Sequence, residues 1–416
     1  MKKFSCREKV DNPLSNNRIS AAPKIFSSTS LVVIILFSRF AKNIGIMKNL
    51  LFALLALCVL AGCSQTQTNL RFPTLSVNLK ESTLQYDDVF SYAEVIPLET
   101  TENSLIVYPM EIVEHKGHLY IYDIHTVKAF IFDEKGKFVR QVSRKGQGPG
   151  EYSWLTSISV DKKNDVLHLI EPTVRFHNFT LDGKLIETKK YLDGGVYHCI
   201  HHLDDYLVLW SPPIDEEEDC IVILDSNTME TVNTYENGPV ALQDGKFYSY
   251  KEELFFFKYR ENIVHKVTKD SLSLAFQWDF GDDNLEMHNL GLSYNQDNYQ
   301  IEKKLLLEYT KDGTIPYLIV SQAQNKNYYY ACLRHQYKYD KSVFYRKSDR
   351  KYLVFGEKSW NMPTNALVFA DDHMIILLNP NNYENFKPFL SEAESKKLEA
   401  LTEDNNPCLL KLYFKE

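Results

Sequence analysis

Three glycines and a proline within five positions single out Arg144-Lys-Gly-Gln-Gly-Pro-Gly-Glu-Tyr152 as the stretch best able to present its backbone to a ligand. Glycine admits backbone angles that other residues resist, and successive N–H groups in such a turn can converge on an anion. Arg144, Lys145, Glu151, Tyr152 and Trp154 surround it and are the candidate ligand contacts. A dinucleotide or P-loop cradle is excluded, because Pro149 interrupts the run and no helix or Lys-Ser/Thr pair follows. The favoured reading is structural: Gly146, Gly148, Pro149 and Gly150 form a corner between two strands, fixed by Glu151 and Tyr152.

Other reactive types are scattered. His198-Cys-Ile-His201-His202 is the densest histidine cluster. On a helix His198 and His202 would share a face, but the surroundings read as strand. There four positions separate side chains by roughly 13 Å at about 3.3 Å per residue, so no metal site is expected. Asp215 to Asp219 is acidic but lacks the alternate ligands and glycine of a calcium loop. Asp123 and Glu171 occupy equivalent strand ends and are expected to bond to neighbouring turns in preference to facing a central channel. No G-x-S-x-G, H-E-x-x-H or S-x-x-K occurs, and Gly291-Leu-Ser293-Tyr-Asn295 lacks the final glycine of the first. No CxxC pair exists among the seven cysteines, which argues against structural zinc. No catalytic residue, metal or cofactor is expected.

Strands must position these groups. Leu119-Tyr-Ile-Tyr-Asp123, Val127 to Asp133 and the turn at Gly136 recur as Val166 to Glu171, Val174 to Thr180 and Gly183. Both landmark pairs, Leu119/Val166 and Gly136/Gly183, lie 47 positions apart. Weaker copies begin at Asp205, Glu253, Asn327 and His373. A period of about 40–50 residues carrying some four short strands is the mark of propeller blades. Six starts predict an all-β, six-bladed β-propeller over 91–416, the corner at 144–152 joining its first two blades. Ser91–Leu98 and Cys408–Phe414 are left over, and one or both are expected to complete the last blade and close the ring. Two helices decorate the ring, one at 298–311 and one opened by the capping box Ser391-Glu-Ala-Glu394.

The start of the chain reads as an address. Met47-Lys48, an apolar run from Leu50 to Leu60 and Leu60-Ala-Gly-Cys63 form a secretory signal, too short to cross a membrane comfortably. Residues 1–46 read as an upstream extension, 47–62 as the signal and 63–90 as anchor and tether. Removing 1–62 takes away nine Lys/Arg and two Asp/Glu and moves the formal net charge from −8 to −15. That balance excludes nucleic acid as a partner. Cys199, Cys220, Cys332 and Cys408 remain, in a compartment where they can pair.

Leu-Ala-Gly-Cys63 resembles the lipobox of bacterial lipoproteins, whose cysteine is acylated. Ile96-Pro-Leu-Glu-Thr100, the Leu-Tyr-Ile-Tyr-Asp strand, the Phe-Asp-x-x-Gly-Lys turn and Lys-Gly-x-Gly-Pro-Gly-Glu-Tyr together resemble a family of six-bladed propeller lipoproteins of Bacteroides-type bacteria, distantly similar to NHL-repeat and TolB-type propellers. The resemblance implies the fold and an envelope location, but little chemistry, and the chain is expected to be an outer-membrane lipoprotein. Ser64 to Thr68 lacks the acidic residues that such bacteria place after the lipidated cysteine of surface-exposed lipoproteins, which implies the periplasmic side. A rigid ring with aromatic-rich loops and no catalytic constellation gives the leading expectation, a non-catalytic binding or scaffold propeller for a glycan, peptide or envelope protein. The alternatives are an envelope hydrolase or lyase acting in the axial channel, and a ring that docks a transporter.

Overall fold

Residues such as Leu119 to Tyr122 alternate between two apolar environments instead of between core and water, and this organises the whole molecule. Leu119 and Ile121 pack with Ile375 and Leu409, whereas Tyr120 and Tyr122 pack with Ile158, Val160 and Leu167. A strand buried on both faces belongs to a sheet sandwiched between two others. The computed structural model describes residues 72–172, 175–190, 197, 199–210, 221–235, 245–258, 262–284, 317–335, 338–356, 365–378, 383–402 and 404–416. Within these, six antiparallel four-stranded sheets form six blades, as the repeats predict.

Blade 1 comprises Pro109–His115, His118–Asp123, Lys128–Asp133 and Phe138–Val142 (β3–β6). Blade 2 comprises Ser157–Asp161, Val166–Ile170, Arg175–Thr180 and Leu185–Lys190 (β7–β10), and blade 3 Cys199–Leu203, Tyr206–Trp210, Ile221–Asp225 and Thr231–Tyr235 (β11–β14). Blade 4 runs through Gly245–Tyr250, Glu253–Lys258, Ile263–Val267 and Leu272–Asp279 (β15–β18), and blade 5 through Leu318–Gln324, Tyr328–His335, Lys338–Arg346 and Tyr352–Phe355 (β19–β22). In blade 6, Ala366–Phe369, His373–Leu378 and Cys408–Phe414 (β23–β25) are completed by Phe90–Pro97 (β2). The first strands β3, β7, β11, β15, β19 and β23 touch one another in cyclic order and surround the axis. Each repeat read from the sequence therefore begins on the second strand of its blade.

Ring closure follows the expectation: β2 pairs antiparallel with β25, Val95 opposite Leu410. Six apolar clusters fill the six gaps between adjacent blades. Each fully buried Leu, Ile or Phe there contributes about 1.5–3 kcal/mol, so these clusters hold neighbouring blades together. At the repeat-defining turns Gly136 and Gly183 take φ of +83° and +79°, angles that cost little only for glycine.

The expected tether is shorter than 63–90. Thr74–Ser76 (β1) lies parallel on β18, the outer strand of blade 4, with Leu75 opposite Trp278. The Thr83 and Leu84 N–H groups then donate to Tyr352 O on the outer strand of blade 5, at 2.9 and 3.0 Å. After the short helix Tyr86–Val89 (α1) the chain enters β2. Leu75, Val77, Leu79, Leu84 and Val89 are buried, and this apolar spacing is why the segment straps exposed strand edges. Cys63, expected to carry the lipid, the expected signal and the expected upstream extension lie outside the described residues, as do the expected helix at 298–311 and the acidic loop 215–219. The other expected helix is present at Glu392–Glu399. Ser391 Oγ caps it by accepting from Glu394 N, while the Glu394 carboxylate accepts from Val95 N of β2 at 2.6 Å.

Candidate functional site

The glycine corner connects the outer strand of blade 1 to the inner strand of blade 2, as its composition predicts. Its nest of N–H groups is already filled. Glu151 Oε2 accepts from Gly148 N at 2.8 Å and Glu151 Oε1 from Arg144 Nε at 2.6 Å. These bonds, the Arg144 bond first, hold the Glu151 carboxyl below its ordinary pKa. Tyr152 is fully buried with its hydroxyl on Val127 O at 2.9 Å, so it holds the corner and does not meet a ligand. Gly150 takes a φ of +71°, and exposed Pro149 sits beside it. Of the candidate contacts only Lys145 and Trp154 present unspent surface, with Lys145 Nζ 5.7 Å from the Trp154 ring centre.

Asp123 and Glu171 bond to turns, as expected. Asp123 accepts from the N–H groups of Val107, Tyr108, His125 and Thr126. Glu171 accepts from Ser153 N and Oγ and meets Arg175 and His177. Both carboxylates pin the chain that leads into an inner strand.

The chemistry that the sequence leaves unmarked lies at the axis. Five of the six inner strands carry polar side chains: Glu111 and Glu114, Ser157 and Ser159, His201 and His202, Lys246 and Tyr248, Gln322 and Gln324. Glu111 on β3 reaches the inner edge of blade 2, where its carboxylate accepts from Ser157 Oγ at 3.1 Å and Ile158 N at 2.8 Å. Enclosure by protein lifts its pKa to about 7, against the lowering effects of those bonds and of the Lys246 charge. Lys246 stands on β15 of blade 4, three blades round the ring, and its charge acts on the Glu111 carboxyl. Nearby, Tyr248 OH accepts from Gln324 Nε2 at 3.4 Å and burial raises its pKa well above the usual value. His201 turns towards blade 4, where its Nε2 meets Ser249 Oγ at 2.5 Å. His202 turns the other way, towards blade 2, as strand alternation requires. His198 lies outside the described residues. Cys332 and Cys408 are buried free thiols with pKa values pushed up to about 12 by burial.

A family model described as a domain of unknown function, DUF4934, matches residues 72–413, the same span that forms the strap and ring. The chain belongs to the DUF4934 family. Solved structures extend the likeness of this DUF4934 chain. A protein of Bacteroides fragilis NCTC 9343 whose name describes it as exported shares the fold at a TM-score of 0.64 and 17% identity, over 82% of this chain and 100% of that one. A member of the DUF4221 family from Bacteroides vulgatus ATCC 8482 aligns at a TM-score of 0.51 and 12% identity, over 80% and 99%. No curated protein matches the chain significantly. The DUF4934 ring is thus a six-bladed propeller of a Bacteroides-type family, as the blade motifs suggest.

Proposed function

We propose that this chain is an exported, lipid-anchored binding propeller that takes a polar ligand at its axis and acts without catalysis. The observation that carries the reading is the set of polar side chains on the inner strands of blades 1 to 5, among them Glu111 and Lys246, whose charge acts on Glu111. A carboxyl, an ammonium, hydroxyls and amides at one centre suit a glycan or a peptide, or the inserted loop of an envelope protein. The signal-like run before Cys63 and the name of the Bacteroides fragilis protein support export. Acylation of Cys63 would hold the ring on the periplasmic side of the outer membrane.

A second reading, a hydrolase or lyase on polysaccharide or peptide, draws on the same Glu111. A carboxyl with a pKa of about 7 is suited to general acid work. Binding is preferred because Ser157 and Ile158 already occupy the Glu111 oxygens.

The test is a glycan and peptide array probed with the chain from Ser64 onward. Bound classes should be lost in Lys246→Ala and kept in Lys145→Ala; a hit set unchanged by Lys246→Ala rejects the axial site, and product release from a bound ligand rejects the non-catalytic reading. Cys63→Ala should release the protein from the membrane fraction, and unchanged attachment rejects the anchor.

A further inference from the structure

Two imidazole nitrogens are buried between blades 2 and 3 with no hydrogen-bond partner, His168 Nε2 and His202 Nε2. Such orphans are costly, about 1–3 kcal/mol each, and call for a partner. His168 on β8 is 5% exposed. Its Nδ1 lies 2.7 Å from Asn178 Oδ1, and the Asn178 amide is oriented because its Nδ2 donates to Glu187 Oε1 at 2.9 Å. An amide oxygen only accepts, so His168 carries its proton on Nδ1 and turns a bare lone pair on Nε2 into the gap. His202 on β11 stacks against it, ring centres 4.4 Å apart. His202 Nδ1 lies 3.9 Å from Asp161 Oδ2 at the end of β7. Asp161 is itself pinned, its Oδ1 accepting from Lys163 N and Asn164 N at 3.0 and 3.1 Å.

We infer that Asp161, His168 and His202 form a binding site for a divalent transition-metal ion of the zinc type. Their ligand atoms all lie within 4.8 Å of one another. Two ligands about 2.1 Å from a tetrahedral ion stand roughly 3.4 Å apart, so closing the site asks for a small approach of the side chains, in which Asp161 Oδ2 exchanges the bond it accepts from Asn164 Nδ2 at 2.7 Å for the ion. Two nitrogens and one carboxylate oxygen select zinc, cobalt or nickel over calcium or magnesium, which require oxygen donors. The Glu187–Asn178–His168 chain is the outer-shell support that fixes the tautomer of a metal-bound histidine. Asp161 and His202 keep 13% and 15% of their side-chain surface open, leaving a fourth position for water. Lys189, the cation felt by His168, is held by Ser226 O at 2.8 Å and by Glu187 at 3.3 Å. This site is separate from Glu111 and Lys246 and stands whether or not the axis binds a ligand.

Isothermal titration of the chelator-treated, purified chain with Zn2+ should give one site per chain, with Ca2+ and Mg2+ weaker by about 100-fold or more. His202→Gln and Asp161→Asn should each lower Zn2+ affinity by about 100-fold, and Asn178→Ala, which leaves all three ligands in place, by about 10–100-fold. His118→Gln, on a different blade, should leave it unchanged. Asp161→Asn preserves the acceptor for the Lys163 and Asn164 N–H groups, so it reports on the site even where a buried histidine variant fails to fold. Co2+ should give a visible absorption band of four-coordinate intensity that Asp161→Asn removes. Zn2+ affinity unaffected by Asp161→Asn and His202→Gln, or no uptake by the folded chain, overturns the proposal.

Discussion

A Cβ placed on Gly146 would lie 2.0 Å from Glu151 Oε2. The carboxylate that fills the corner's nest and the missing side chain of Gly146 therefore depend on each other. Gly148 stands in the same relation, with the nearest approach at 3.0 Å. The glycines are there to let the chain's own anion in.

Gly146→Ala should push the Glu151 side chain out and break its bonds to Gly148 N and Arg144. The variant is expected to unfold at a lower urea concentration than wild type, because charge-assisted hydrogen bonds are lost. In a Glu151→Ala background the same Gly146→Ala change should cost little. A double-mutant cycle by urea unfolding measures the coupling, expected to differ from zero. Additive effects would show that Glu151 does not occupy the nest in solution.

Closure of the ring rests on one buried amide as well as on the pairing of β2 with β25. Asn406 Oδ1 accepts from Ile106 N at 2.9 Å, and its Nδ2 donates to Glu99 O at 2.8 Å and Ser104 O at 2.6 Å. The residue is almost fully buried, so each bond removed leaves an unsatisfied backbone group. Asn406→Ala should cost about 2–4 kcal/mol, and Asn406→Asp, which keeps the acceptor alone, should not restore it. Unchanged melting temperatures in both variants would remove Asn406 from the closure.

What the sequence reveals divides along the radius of the ring. Second and third strands are buried on both faces, so Leu119 to Tyr122 and Val166 to Ile170 appear as apolar runs with a shared 47-residue offset. Inner strands place polar side chains around the axis, and Pro109–His115 or Gly245–Tyr250 then carry no pattern that announces a strand. That is why the repeats begin one strand late and why Glu111 and Lys246 go unmarked. His168 and His202 are 34 positions apart and meet only because consecutive blades face each other. The histidine cluster at 198–202 marks His202 in the sequence, but nothing local connects it to His168 on the neighbouring blade. The glycine corner was readable as a joint because backbone freedom is local, whereas its occupation by Glu151 depends on side-chain direction.

Glu111 gives the ring a pH dependence of definite sign. In the folded chain its pKa is about 7, against an ordinary glutamate value near 4.3 once unfolded. Below the lower value both states hold the proton. Between the two only the folded state does, so stability falls as pH rises through this window. Each unit of difference is worth about 1.4 kcal/mol, and because water reaches part of the side chain the total loss expected is on the order of 2 kcal/mol. His168, whose folded pKa of about 4 lies below its ordinary value, acts in the opposite sense and costs stability as pH falls. That contribution is common to wild type and Glu111→Gln and cancels in their difference. Glu111→Gln should therefore gain on wild type steadily from pH 5 to pH 8 in urea midpoints. Two parallel curves would mean that Glu111 ionises in the folded ring as it does in water.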